Sequence, residues 1–551
     1  MAIVKGETSG EIYKSPFSAE FLKTTYNSES RVQEYLPIAE RGYLSMTDGA
    51  SFSYDGNVTL NYNTLVNEKH IIYAGAGLEV TQNDNNSHGF IMTGFPDDRY
   101  SDPAFAIQYK KETKPSSSES KSRAIGFFAN GNYSYDDRYF ADVSVRIDGS
   151  SKFGADKKYA PFWSAGAGWN VHNEHKFFKH TKISMLKLRY SYGVTGNQEF
   201  SAYQAKTMFQ FNTDRLYNSG ISAALMGYGN PDLEWQNQYQ SNYGFDFGYA
   251  KDRIRLQFNY YQKKTEGMLT SVSVAPSLGL PSNTFTSNLG KIQNKGVEVN
   301  LNAVLIRDQG KDFEWSVMLQ AAHNKNKIME ISTALKNINE KNNQDKTTPA
   351  AVYEEGESMS AIKAVPSLGI DPTTGQELFM KKDGTITYTW DATDKVICGD
   401  SEPKVFGNVG TNLYWKGWNL NMVFKYDLGA DYYNSTLAER VEGANPRYNA
   451  DRRVLNNRWK EPGQHALYKN IKEYTTTYIS SRFVQKENTL QLTSLSLSYD
   501  LNREWIRKFG LNTMRLSFYM NDVFRASTVK NERGLDYPFQ RSFVFGLNIG
   551  F

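Results

Sequence analysis

The chain closes on a strict alternation. In QRSFVFGLNIGF, Phe543, Phe545, Leu547, Ile549 and Phe551 fall on one face, and Ser542, Val544, Gly546, Asn548 and Gly550 on the other. A period of two sets a strand between an apolar medium on one side and a polar or tightly packed one on the other. The pattern recurs upstream. Met514, Leu516, Phe518 and Met520 alternate with Thr513, Arg515, Ser517, Tyr519 and Asn521, and Trp418, Leu420, Met422, Phe424 and Tyr426 with Asn419, Asn421, Lys425 and Asp427. Ile254, Leu256, Phe258 and Tyr260 alternate with Arg253, Arg255, Gln257 and Asn259, and Val143, Val145 and Ile147 with Asp142, Ser144, Arg146 and Asp148. Such segments predict fifteen strands, near 49–66, 68–83, 121–135, 137–151, 160–172, 183–194, 235–250, 252–270, 290–308, 312–331, 402–415, 417–432, 487–501, 512–526 and 540–551. One phase slip, between Leu492 and Leu495, predicts a bulge or a boundary inside 487–501.

The connections add a second regularity. Every second one is short: Val66–Glu68, Tyr135–Asp137, Ala250–Asp252, Asp308–Asp312 and Trp415–Gly417, with slightly longer and helix-compatible versions at His172–Lys182 and Asn502–Leu511. Most of the others are long: 84–120, 195–234, 271–289, 332–401 and 433–486. Short turns at one end and long loops at the other mark a bacterial outer-membrane barrel, whereas a sandwich or propeller would scatter its long loops. The strands exceed the roughly 9–11 tilted residues that cross a bilayer. Trp169, Trp415, Trp418, Tyr249 and Tyr499 stand at strand ends, where an aromatic girdle belongs. The fold class expected is therefore all-β, an antiparallel transmembrane β-barrel facing membrane lipids, because only closure removes bare backbone edges from lipid.

Composition and charge exclude other classes. Aromatics reach 14%, too many for a disordered chain, and no apolar run approaches the roughly 18 residues of a spanning helix. Lys and Arg number 63 against 59 Asp and Glu, with no basic block, so no nucleic-acid partner is expected. A single cysteine, Cys398, excludes an intramolecular disulfide framework. The opening MAIVKGETSG has no apolar core of a signal peptide.

Candidate chemistry is sparse. His172, Glu174, His175 and His180 in HNEHKFFKH have metal-ligand spacing, but a polar turn with a short helix explains them without a metal. AGAGLE and SAGAGWN lack the full dinucleotide fingerprint, and no phosphate loop or nucleophile elbow is present. Catalysis at Cys398 would need an activating partner; a passive loop residue is the simpler reading. Arg146, Arg189, Arg253, Arg255 and Arg515 share the polar phase and face a lumen, as such residues do in any water-filled barrel. The expectation is no enzyme, no catalytic residue, no metal and no cofactor.

Several stretches, in collinear order, resemble one family. RIDGSSKFG (146–154), PFWSAGAGWN (161–170), LKLRYSYGVTGNQ (186–198), NPDLEW (230–235), NKGVEVNLN (294–302), HNKNKI (323–328), EPKVFGNV (402–409), SLSLSYDL (494–501) and NDVF (521–524) are similar to the SusC/RagA family of TonB-dependent outer-membrane transporters. The resemblance implies a barrel of about 22 strands around a plug. It further implies a SusD-like surface lipoprotein as lid and import of oligosaccharides or peptides. The alternating C-terminus, Phe543, Phe545, Leu547, Ile549 and Phe551, resembles the signal read by the barrel-assembly machinery. The family's signal peptide, small sandwich domain, plug and TonB-contacting segment are not seen here, so contact with the TonB complex would run through that missing N-terminal region.

Parity gives the same picture. Fifteen antiparallel strands cannot close, since the first and last would meet parallel; about seven more would complete the family's barrel. The expected organisation is 1–48 as a polar segment of an external loop and 49–551 as the C-terminal part of the barrel of a Gram-negative outer-membrane importer. Three functions stand at this point: nutrient import, an outer-membrane enzyme with no placeable constellation, and a surface adhesin without import. Long-loop aromatics suit a glycan or a lid: Tyr217, Tyr228, Trp235, Trp390, Tyr432, Tyr433, Tyr448, Trp459 and Tyr468.

Overall fold

The computed structural model describes residues 2–551 other than 19, 23, 28–31, 100, 112, 155–156, 175–180, 198–201, 218–219, 231, 274–283, 289, 332–335, 337–338, 341, 348, 446–450, 474 and 531–539. Sixteen long strands form its wall: β1 (Ala2–Lys14), β2 (Tyr43–Val66), β3 (His70–Thr93), β4 (Ser116–Tyr135), β5 (Tyr139–Ser150), β6 (Tyr159–Asn170), β7 (Ile183–Asn197) and β8 (Gln236–Tyr249). There follow β9 (Ile254–Glu266), β10 (Lys291–Asp308), β11 (Phe313–Glu330), β12 (Val405–Trp415), β13 (Trp418–Tyr433), β14 (Val484–Asp500), β15 (Thr513–Ser527) and β16 (Phe543–Gly550). Each pairs antiparallel with the one before and the one after it in the chain. With the two-residue rung Gln108–Tyr109 beside β3, the sheet counts seventeen strands.

All fifteen strands expected from alternation are present. The turns between them explain their tightness. Asn67 and Glu68, Asp136 and Asp137, and Lys416 and Gly417 adopt positive φ in adjacent pairs. That is the type I′ geometry whose twist matches a two-residue hairpin. The expected slip in β14 is a bulge: pairing steps from Leu492 to Ser494 against both neighbours, leaving Thr493 out of register. The longer turn after β14 carries a short helix, Arg503–Ile506.

Residues 1–48 add one strand to those expected from alternation. They contain β1, which pairs Ala2–Lys14 with Asp55–Tyr43 of β2. The wall thus has sixteen strands rather than fifteen, and β1 and β16 run in opposite directions. β2 and β3 are 24 residues each, roughly 80 Å at about 3.3 Å per residue, far more than a bilayer requires. β1 therefore lies beside the outer half of β2, away from the short turns. Both of its faces meet water there, and its sequence accordingly has no period of two. The inner half of β2, residues 56–66, has β3 as its sole partner among the described residues, and β16 has only β15.

The long loops carry structure of their own. Met208–Tyr217 pairs with Gly220–Gly227, and Leu269–Ser273 with Thr284–Asn288. Loop 332–401 holds a hairpin of Ala361–Ala364 with Val396–Asp400 and a three-stranded piece around Glu377–Met380. It packs on loop 433–486 around Val365, Phe379, Val441, Ile479 and Phe483, all buried. Val365 and Ser480 form a bridge between the two loops.

Candidate functional site

The wall separates two chemistries. Outward, Val58 (72% exposed), Leu60 (77%), Val143, Leu516 and Phe545 (75%) form an apolar belt with nothing over it. At its short-turn rim Trp418 packs on Tyr499 at 4.6 Å, and Tyr139 stacks on Trp169 at 6.3 Å. This is the interfacial girdle expected from the sequence. The terminal residues Phe543, Phe545, Leu547, Ile549 and Phe551 are all exposed. The first four stand on the belt face of β16, opposite Met520, Phe518, Leu516 and Met514 of β15.

Inward, the strands present amides and fixed charges. Arg189 donates twice to Asp246 at 2.8 Å and once to Asn259 at 3.1 Å. Arg146 bridges Glu79 at 2.8 Å and Asp148 at 2.5 Å. Gln238, Gln240 and Asn242 form a ladder along β8, and Tyr261, Asn294, Asn324, Asn326 and Glu402 link across β9–β11. Of the five arginines singled out by phase, Arg146 and Arg189 line the interior. The others sit near the short turns, Arg255 on Asp252, Arg515 on Asp500 and Arg253 on the Leu305 carbonyl.

Above the wall, loops 332–401 and 433–486 are riveted by charge. The Arg482 guanidinium contacts Glu377 at 2.8 and 3.2 Å and Glu442 at 2.5 and 2.8 Å. The Glu442 side chain is fully buried and that of Glu377 5% exposed. Arg458, also buried, donates to the carbonyls of Val454, Lys469, Val441 and Glu442. Lys363, buried, pairs with Glu354 and Glu357. Sequence reading missed these groups, because the Arg482 partners lie 105 and 40 residues away in the chain and no local spacing announces them.

The loop aromatics divide. Trp390 stacks on Tyr478 and donates to the Ile479 carbonyl, and Trp459 donates to the Pro372 carbonyl. Tyr433 packs against Phe483. Trp235 is buried between Phe153 and Phe162, whereas Tyr228 is exposed. These placements give Trp235, Trp390, Tyr433 and Trp459 a packing role. The Tyr217 side chain and Tyr448 lie outside the described residues.

The histidine turn makes local contacts. His172 Nδ1 engages the Leu186 backbone, and Glu174 accepts from the Tyr139 hydroxyl. His175 and His180 lie outside the described residues, and among those described no group of three metal-ligating side chains exists. Cys398 donates to the Ala364 carbonyl at 3.5 Å, and burial pushes its thiol pKa up, away from the reactive thiolate.

An antiparallel wall with an apolar outside, a polar inside and all large loops at one end defines a transmembrane barrel of the outer-membrane type. The family model "TonB dependent receptor-like, beta-barrel" matches residues 13–523, and the chain belongs to that family. TonB-dependent receptor P3 of Formosa agariphila is 27% identical over 486 residues, covering 80% of this chain and 46% of the relative. TonB-dependent receptor SusC of Bacteroides thetaiotaomicron is 23% identical, covering 91% and 51%. The structure of the RagAB peptide transporter superposes with a TM-score of 0.84 at 21% identity, covering all of this chain and 59% of that one. The chain thus spans about half the length of the curated relatives it matches. Membership places it among the β-barrels of TonB-dependent receptors.

Proposed function

We propose that this chain supplies the C-terminal part of a barrel of about 22 strands that imports nutrients, oligosaccharides or peptides, across the outer membrane of a Gram-negative bacterium. Energy would come from the TonB complex through an N-terminal plug region, and a SusD-like lipoprotein would cover the outer mouth. Strand β16 would be the segment read by the barrel-assembly machinery.

The observation that carries the reading is the asymmetry of the wall. Its turns are tight at one end, with two residues between Trp415 and Trp418 and three between Val66 and His70, while the opposite end bears a pair of loops with their own buried core. A barrel serving only as an anchor has no use for a rigid superstructure over an amide-lined interior. A ligand-capturing importer needs both. The test is uptake of labelled oligosaccharides and peptides by cells carrying the intact transporter, with and without TonB, together with affinity capture from solubilised outer membranes. TonB-dependent uptake and co-capture of a surface lipoprotein support the reading. Ligand binding at the surface without TonB-dependent uptake would make it an adhesin instead.

A further inference from the structure

We propose that the lipid-facing side of the wall holds a site for one anionic membrane lipid, a phosphate-headed amphiphile of the outer leaflet. It lies where β3, β4 and the β5–β6 turn meet residues 202–207. A cavity of ≈ 450 Å³ opens there, within the roughly 300–1,000 Å³ of ligand pockets. The site faces lipid, so it is independent of what the barrel imports.

Strand register fixes its height in the membrane. Val80 pairs with Ile125, Ile125 with Gly149 and Gly149 with Tyr159, and directly opposite residues share a face. Two residues nearer the short turns, that face carries Leu78, Phe127 and Ile147, the latter two exposed on the apolar belt. Val80, Ile125 and Gly149 each stand ten residues from the short-turn end of their strand, and about 9–11 tilted residues cross a bilayer. Their rung is therefore the last in lipid on the loop side. The next one, Gln82 opposite Arg123, is polar.

The cavity is both braced and charged. Tyr159 leans over Gly149, where a Cβ would lie 2.4 Å from the ring Cε1. Ser151 exchanges two hydrogen bonds of 2.9 Å with the Arg123 backbone, which pins the turn. The Tyr203 hydroxyl accepts from the Lys121 N–H at 3.0 Å and fastens the neighbouring loop. Beyond the apolar floor the lining includes Arg123, Lys158 and Lys206 and, among the described residues, no carboxylate. Arg123 Nε donates to Gln82 at 3.0 Å, and none of the three cations forms an ion pair among the described residues. Asp84, one rung further out on the same face, is already held by Lys121 at 3.0 Å. Three free cations over an apolar floor at the bilayer edge fit an acyl chain that carries a phosphate. The chain fills the floor, and the phosphate oxygens meet the cations. A zwitterionic head would bring a cation of its own, and free phosphate would leave the floor empty.

The test is photoaffinity labelling of the intact transporter in phosphatidylcholine bilayers, with the labelled peptides mapped by mass spectrometry. The probes are phosphatidic acid and phosphatidylcholine, each with a diazirine in the same acyl chain. Label from phosphatidic acid should concentrate on 123–125 and 149–159, and label from phosphatidylcholine should spread round the belt. Unlabelled phosphatidic acid should displace the concentrated label; inorganic phosphate should not. Lys158→Gln and Lys206→Gln should each weaken the apparent affinity about fivefold, the effect of one cation beside an anionic surface, and Lys158→Arg should retain it. Unchanged heat-modifiable migration shows that the variants have folded. Equal labelling of these segments by the two probes, or unchanged affinity in both glutamine variants, overturns the site. Displacement by inorganic phosphate would make it an anion site without a lipid and overturns it as well.

Discussion

Replacing Arg482 with Met should release the two outer loops from each other while leaving the wall intact. The guanidinium is 11% exposed and is the cation shared by Glu377 (5%) and Glu442 (0%). Lys469, 3.9 Å from Glu442, is too far to take over the hydrogen bonds. Removing one partner of a buried ion pair strands the remaining charge and costs about 3–5 kcal/mol. That is roughly 10²- to 4 × 10³-fold in a local opening equilibrium, at about 1.4 kcal/mol per decade. The cost falls on loops 361–400 and 436–483, because none of the three residues lies in a wall strand. Hydrogen exchange on the intact transporter should therefore speed up in those segments and stay unchanged in β8–β11. Arg482→Lys should recover only part of the protection, since an ammonium cannot fork onto two carboxylates. Adding Glu377→Gln and Glu442→Gln to Arg482→Met should regain more, because the two buried carboxylates that lost their guanidinium are then neutral. Exchange in Arg482→Met equal to wild type would refute the claim that this cluster holds the loops together.

Leu256→Arg or Phe518→Arg turns a charge into lipid at about 2–4 kcal/mol near the midplane, whereas Gln257→Arg faces the interior; folded-barrel yield should fall only for the first two, and equal losses would overturn the assigned phase. Deleting Phe551, 87% exposed at the end of the apolar face, should strongly lower outer-membrane levels, and normal levels would remove β16 as the assembly signal. Hydrogen bonds from the Arg99 side chain and backbone hold the Asp97 carboxyl down at about 2. A depressed carboxyl stabilises its turn above the ordinary value of 3.8 and loses that contribution as pH falls through about 2, so protection at 97–99, taken relative to the intrinsic exchange rate at each pH, should stay flat from pH 7 to 4 and fall below 3; a fall centred near 4 would count against the Asp97–Arg99 contact.

Alternation was legible wherever lipid lies on one side of a strand, which is why β16, β15 and β13 could be read residue by residue. It faded where strands leave the membrane. Gln82–Gly89 and Ala2–Glu11 are open on both faces, so their pairing leaves no period in the sequence, and only beyond them do Met92 and Tyr13 turn into a small cluster with Leu44 and Phe95. The positions of Arg146 and Trp235 followed from phase and loop assignment, but their convergence on one stretch of the inner wall did not. They are brought together by the strand register and by the inward fold of the 151–154 turn, where the Gly154 N–H donates to the Leu233 carbonyl. The Arg482 cluster was illegible for the same reason, its members being joined only by tertiary packing of two long loops.

Strand register also sets what the wall still requires. In an antiparallel ladder about half the residues of a strand direct their N–H and C=O to each side. Residues 56–66 of β2 and the eight residues of β16 therefore present roughly ten outward-pointing residues, or about twenty unpaired polar groups. Each costs several kcal/mol in lipid, a sum no single-domain stability could offset. The apolar belt of Val58, Leu60, Phe545 and Leu547 nevertheless lies on those very strands, so they belong in the membrane and need partners there. Expressed by themselves, these 551 residues should collect in inclusion bodies, where bare edges template aggregation. Supplied with further strands and a plug, they should enter the outer membrane. A monodisperse, heat-modifiable barrel made from this chain alone and taking up ligand in cells would show that β1 and β16 close on each other, and would overturn both the strand count and the reading of the chain as part of a larger wall.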